Sequence, residues 1–476
     1  MSITSLYFLL FFLLALGIYY LLPRRQQNYW LLLVSYAFCV SWAWHFALVL
    51  LIVTAVNYGI ATHLRIGDVG RKSLLWAAIG FNILTLAIFR LGDFYRVELE
   101  TLMVSLGLSP ELGVLQILLP VGLSFYILEN ISYQVDVYRG QVKAATDFVD
   151  YALYQAYFPK LLAGPIERAG DFLPKLATQR IVDNGVLARS VTLIVVGALR
   201  KLIIADTLTA VIPWDVFEAP ANFSAYELWG WLVVYGFALY NDFAGYTSLV
   251  RGISGLFGIE LSLNFQQPYF ARNFGEFWNN WHRTLSHWLR DYIYFPTLRA
   301  LLRRNRNRRS VPNIVIPPLL TMLVSGLWHG FSVQMLVWGG LHGLYQIGER
   351  VLSLRGPVVP PDKRPRWRQL LAMAVVFVLV MWAWVPFRLE MPVAIQFWQQ
   401  LLSFGSSGLR YRRIVFAAAY VFVAVALDLM QRRYQDEVIF LRWPRLAQAV
   451  ALATVIFLVM IISSDTVSEP FVYQGF

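Results

Sequence analysis

The chain carries six histidines: His45, His63, His282, His287, His329 and His342. His329 lies in Leu323-Val324-Ser325-Gly326-Leu327-Trp328-His329-Gly330, deep in an apolar stretch with no opposite charge nearby in sequence. Desolvation disfavours an imidazolium, so a histidine buried there stays neutral. A neutral imidazole accepts a proton from a hydroxyl, which is what a general base does. The flanking glycines let backbone or substrate approach closely. A core histidine bonded to a backbone carbonyl fits the same residues equally well. His282, in Glu276-Phe277-Trp278-Asn279-Asn280-Trp281-His282-Arg283-Thr284-Leu285-Ser286, is the second candidate, able to position substrate or polarise a carbonyl. On physics alone an ordinary interfacial histidine suits it better. His45 falls at a helix break among tryptophans and reads as structural, His63 beside Arg65 as interfacial, and His287 as a solvated polar-face residue.

Other chemistries lack their residues. His282 and His287, five apart, project about 140° from each other on a helix, and no His-Glu-x-x-His pattern occurs, so no metal is expected. The lone Cys39 excludes intramolecular disulfides and thiolate clusters. A phosphate-binding Gly-rich loop and a Gly-x-Ser-x-Gly elbow are both missing, which leaves ATP-driven transport and serine-hydrolase chemistry without support.

The elements that must position these histidines are membrane helices. Of 476 residues 58% are hydrophobic and 14% charged, against roughly 45–50% and 25% in a soluble domain. Apolar stretches recur from residue 3 to 462, giving one integral membrane domain over 1–476. The net charge of +12 sits in short loops, as the positive-inside rule expects, so it does not point to nucleic acid. Spans of about 20 apolar residues are expected at 5–22, 73–92, 114–135, 190–212, 228–247, 368–388, 411–430 and 445–462. Stretches 29–63, interrupted at Ser41–His45, and 311–349, interrupted at Gly326–Gly330, each read as two short helices. The fold class is therefore an all-α polytopic membrane protein of about ten to twelve transmembrane helices.

The stretch 5–22 lacks the flanks of a cleaved signal and has Arg24 and Arg25 after it, which puts the N-terminus outside. The densest basic runs, Arg303–Arg309 and Lys363–Arg368, then fall inside. Outside lie loop 93–113, with Asp93, Glu98, Glu100 and Glu111, and loop 213–227, with Asp215, Glu218 and Glu227. Arg410, Arg412 and Arg413 disagree with this topology. Residues 148–190 are too interrupted to span. Residues 274–298 read as an amphipathic helix in the interface, with Trp278, Trp281, Leu285, Trp288, Leu289 and Tyr292 on its apolar side. Irregular backbone at such depth needs protein or a water-filled cavity around it, so re-entrant segments are expected.

Several ordered motifs match one family. They are Pro23-Arg24-Arg25, Tyr157-Phe158-Pro159-Lys160-Leu161-Leu162-Ala163-Gly164-Pro165-Ile166, Asp242-Phe243-Ala244-Gly245-Tyr246-Thr247, Asn264-Phe265 with Pro268-Tyr269, Phe277–His282, Trp288–Tyr294, Gly326–Gly330 and Pro470–Tyr473. With these the chain resembles the membrane-bound O-acyltransferases, in the bacterial branch that serves alginate O-acetylation and D-alanyl transfer to teichoic acid.

The resemblance implies a ring of helices around a central funnel. It makes His329 the catalytic base and His282 the second active-site histidine, with Trp328, Trp281, Asn279 and Asp242 as supporting candidates. Asn279-Asn280 stands where relatives often carry a basic residue. The implied reaction moves an acyl group, expected to be acetyl, from a cytoplasmic thioester (acetyl-CoA or an acyl carrier) toward hydroxyls of an extracytoplasmic polysaccharide through a partner acyltransferase. No bound cofactor is implied, and the setting is the bacterial cytoplasmic membrane. The rival readings are a transporter or flippase using intramembrane charges such as Asp206 and Asp242, and a scaffold that only recruits a soluble acyltransferase.

Overall fold

A computed structural model describes residues 1, 3–64, 70–91, 103, 105, 120–354, 363–403 and 411–465. The acidic residues of loop 93–113, the start of the 114–135 span, Arg410 and the ending Pro470–Tyr473 lie outside the described residues. Among the described residues every regular element is a helix. Five helices are long and apolar enough to cross a membrane, and two shorter apolar ones, Leu6–Leu21 and Arg445–Val459, join them.

The chain clusters into two compact units, Met1–Leu187 with Ile253–Ser262, and Ala188–Gly252 with Leu263–Phe476. The first begins with α1 (Leu6–Leu21), α2 (Arg24–Val40), α3 (Trp44–Thr62) and α4 (Arg71–Arg90). Ser5 caps α1 by accepting from the Phe8 amide at 3.2 Å, leaving one fewer orphan donor at the helix start. The break expected near residue 42 is the Ser41–Ala43 turn between α2 and α3. Leu10, Leu13 and Leu14 of α1 and Ile83 and Leu84 of α4 point outward, as helices solvated by acyl chains allow.

After α5 (Leu123–Tyr138), α6 (Phe148–Ala156), α7 (Phe158–Leu161) and α8 (Ala169–Ala177) form the interrupted region that was expected not to span. It is held by buried polar groups. Lys160 is ion-paired with Glu129 of α5. The other oxygen of Glu129 accepts from the Glu167 amide at 2.9 Å, and Glu167 in turn accepts from the Ser262 amide at 2.6 Å.

The second unit opens within α9 (Asn184–Ala198), which runs through a π turn, Leu199–Ala205, into α10 (Asp206–Val211). The expected 190–212 span is thus one wound stretch whose irregular turn carries two buried cations. Arg200 pairs with Asp428, and Lys201 contacts Asp206 and Asp242 at 2.7 Å each. The short α11 (Asp215–Glu218) is followed by α12 (Ala225–Leu256), 32 residues long. The single amphipathic helix expected over 274–298 is not formed. The chain bends at Trp281–His282 between α13 (Phe274–Asn280) and α14 (Arg283–Leu289), then passes through a π turn into α15 (Phe295–Arg304). The remaining helices are α16 (Val311–His329), α17 (Val333–Ser353), α18 (Arg366–Arg388), α19 (Met391–Leu401), α20 (Tyr411–Tyr434) and α21 (Arg445–Asp465).

Candidate active site

His329 is the last residue of α16, and Gly330 continues in extended conformation toward α17. Two glycines set this corner. A Cβ on Gly326 would strike the carbonyl oxygen of Met335, and one on Gly339 the carbonyl oxygen of Met322. Only residues without a side chain let α16 and α17 cross this closely. The close approach expected of Gly326 is therefore made by the next helix. His329 is buried, with Trp328, Trp338 and Phe387 presented edge-on at 4.8, 5.1 and 5.3 Å between ring centroids.

His282 sits in the bend between α13 and α14 with φ 41° and ψ 54°. A non-glycine residue there is strained, and surrounding contacts must hold it. They come from the segment before α13. The Gln266 amide donates to the Asn280 carbonyl at 3.0 Å and the Arg283 amide to the Asn264 carbonyl at 2.9 Å. The Asn264 side-chain oxygen lies 3.2 Å from His282 Nδ1 and accepts from the Thr284 amide and hydroxyl at 3.3 and 3.0 Å. Because that oxygen is an acceptor for Thr284, Nδ1 of His282 is the donor, and Nε2 is the acceptor nitrogen of a neutral ring. Phe243 packs edge-on against the imidazole at 4.8 Å.

The two histidines share one wall. The Trp328 ring lies 4.8 Å from His329 and 6.0 Å from His282. Trp281 stands farther back, 4.9 Å from Trp384, which meets Phe387 at 5.1 Å. Asn279 lines a cavity of about 390 Å³ together with Trp278, Arg290, Met322, Gln346 and Arg350. Met322 is seven residues before His329 on α16, about 10 Å along the axis at 1.5 Å per residue. Asp242 is engaged by Lys201, and it is the next residue, Phe243, that touches His282. The structure thus brings His329, His282 and Trp328 together, sets Trp281 and Asn279 in the surrounding wall and cavity, and gives Asp242 a supporting ion pair.

Sequence reasoning missed Asn264 as the partner of His282, although Asn264-Phe265 was among the matching motifs. It also passed over His342, fully buried with Trp278 and Trp338 at 4.9 and 5.1 Å. His342 also lies in an apolar, glycine-containing run, Gly339-Gly340-Leu341-His342-Gly343, which could have flagged it.

Comparison with known proteins decides the family. The model of the membrane-bound O-acyltransferase family matches residues 141–389, more than half of the chain and including both histidines. The chain belongs to the membrane-bound O-acyltransferases. It is 35% identical over 408 residues to a protein of Pseudomonas putida named probable alginate O-acetylase AlgI, covering 84% of this chain and 80% of that one. A Helicobacter pylori peptidoglycan O-acetyltransferase is 27% identical over 405 residues, covering 78% and 73%. A Bacillus subtilis teichoic acid D-alanyltransferase is 27% identical over 267 residues, covering 54% and 65%. This membrane-bound O-acyltransferase is an enzyme, and its outward apolar helices fit a bilayer.

Proposed function

We propose that the protein transfers an acetyl group from a cytoplasmic thioester, acetyl-CoA or an acetylated carrier, to a hydroxyl arriving from the extracytoplasmic side, for delivery to a polysaccharide through a partner acyltransferase. The observation that carries this reading is the pair of buried histidines that both pack against Trp328. His329 takes the hydroxyl proton as the oxygen attacks the thioester carbonyl. The C–S bond breaks, the new ester C–O bond forms, and the proton passes from the imidazolium to the departing thiolate. His282, with Nδ1 donating to Asn264, presents Nε2 as an acceptor. It therefore orients a hydroxyl or thiol rather than polarising a carbonyl, which would need a donor. Donor access is assigned to the Asn279 cavity, where Arg290 and Arg350 favour phosphate. Acetyl as the group and a polysaccharide as destination are carried over from the names of the alginate and peptidoglycan relatives. The topology that goes with this places the N-terminus outside the bacterial cytoplasmic membrane.

The test is acetyl transfer by the purified protein in nanodiscs, with radiolabelled acetyl-CoA or radiolabelled acetyl carrier protein, a hydroxyl acceptor and, in a second arm, the extracytoplasmic acyltransferase. His329→Ala is expected to lower turnover by about 10²–10⁴-fold. Full transfer by that variant would remove His329 as the base. Label moved by neither donor class in either arm would remove the donor assignment.

A further inference from the structure

A second cavity, of about 200 Å³, opens elsewhere in the second unit, and Arg189, Arg200, Arg251, Gln266, Gln267 and Glu437 line it. It is smaller than the roughly 300–1,000 Å³ of sites for drug-sized ligands and suits a single headgroup-sized anion. Charge points the same way. Glu437 bridges Arg251, through contacts of 2.6 and 2.9 Å, and Arg189 as well, so one carboxylate answers two guanidiniums. Arg200 is matched by Asp428, and Asp436 by Arg442. Arg283, just behind the wall, donates to the neutral Gln266. The charged residues of the lining itself are thus three guanidiniums, Arg189, Arg200 and Arg251, and two carboxylates, Asp436 and Glu437.

The backbone of the wall is strained. Among the described residues three non-glycine positions have positive φ: Gln267 at 44°, Gln435 at 50° and His282 at 41°. The first two line this cavity. Such strain persists where the surroundings impose it, and it clusters at ligand and active sites. The third position is coupled to the cavity by the same segment. Leu263 and Phe265 line the cavity, whereas Asn264 between them accepts from His282. Phe265 also faces the His282 ring at 6.4 Å.

We propose that this cavity binds a phosphate group, in a site separate from the one lined by Asn279 and seated behind the wall that holds His282. Arg251 and Arg189 are its cationic clamp, suited to bidentate anion contacts, and Glu437 competes with the ligand for them. A soluble phosphate and an anionic lipid headgroup present the same chemistry.

The full chain is placed in phosphatidylcholine nanodiscs and titrated calorimetrically with inorganic pyrophosphate. Saturable binding is expected, weakened at least tenfold by Arg251→Gln and tightened at least threefold by Glu437→Gln. Arg189→Gln reads out the same clamp should the Arg251 variant not fold. The titration is repeated in phosphatidylglycerol nanodiscs. Loss of pyrophosphate binding there assigns the site to a lipid headgroup, and unchanged binding assigns it to a soluble phosphate; both support the site. The proposal is overturned by binding indifferent to the arginine variants. It is equally overturned by no binding in phosphatidylcholine together with no arginine-dependent gain of thermal stability in phosphatidylglycerol.

Discussion

Asn264 holds the second histidine, His282, in place. Its side-chain oxygen receives His282 Nδ1 and both donors of Thr284, and so selects one tautomer in a strained bend. Asn264→Leu leaves those buried donors without this acceptor, a loss of about 1–3 kcal/mol that corresponds to about 5–150-fold in rate if it falls on the transition state. The expected signature is a fall in kcat with little change in KM, partly restored by Asn264→Asp, which keeps the oxygen. Loss of folded protein alone also lowers the apparent kcat at unchanged KM, so the rate is taken per folded molecule, counted by size-exclusion chromatography, and a fall that vanishes on that normalisation would remove the positioning role. At this scale the sequence supplied candidates but could not rank them. His329 and His342 both sit in apolar, glycine-containing runs, and both are buried among aromatic rings. Family resemblance separated them. The Asn264–His282 contact joins residues 18 apart and exists only because the chain doubles back.

Helix ends were legible where side chains announce them. The break at 41–43 falls where interrupted hydropathy placed it, whereas that at 330–332 meets the expected Gly326–Gly330 interruption only at Gly330, residues 326–329 being helical. The bend at His282 was not legible, because the aromatic period runs straight through it and the reversal is imposed by bonds to residues 264–266. The π turn at Leu199–Ala205 was hidden as well, since Arg200 and Lys201 lie inside a stretch whose average is apolar. The crossing of α16 and α17 gives a sharp test at this scale. Gly339→Ala drives a methyl into the Met322 carbonyl, whereas the next residue, Gly340, has open space where its Cβ would be. Gly339→Ala is expected to destabilise the protein by about 1–3 kcal/mol, the usual cost of overpacking, and to lower transfer activity through displacement of His329. Gly340→Ala is expected to leave both within error. Thermal unfolding and initial rates on the two variants check this, and equal behaviour would contradict the packing account.

For the molecule as a whole, the polar motifs work as internal fasteners. Composition gave the membrane class and the motifs gave the family, but the partners of buried charges were unreadable from spacing. Lys160, quoted as a motif residue, is tied to Glu129, and Arg200 to Asp428, 228 residues away. Breaking one partner of such a pair costs about 3–5 kcal/mol, while replacing both with apolar groups of similar volume is often neutral. Lys160→Met is thus expected to lower the unfolding temperature sharply, and Lys160→Met with Glu129→Leu to recover most of the loss. The Glu437 cluster adds a pH dependence. Burial opposes ionisation of Glu437, but hydrogen bonding to Arg251 and the charges of Arg251, Arg189 and Arg283 outweigh it and hold its pKa below the usual value. A carboxylate with a depressed folded pKa stabilises the protein above its unfolded value, near 4.3, and that contribution is lost as pH falls through the folded value. Thermal unfolding in detergent at pH 7 and at pH 3.5 should therefore differ less for Glu437→Gln than for the unsubstituted chain, because the variant has already lost the group that titrates. An identical difference in the two proteins would mean that the Arg189–Glu437–Arg251 bridge contributes nothing to holding the segment after α20 in place.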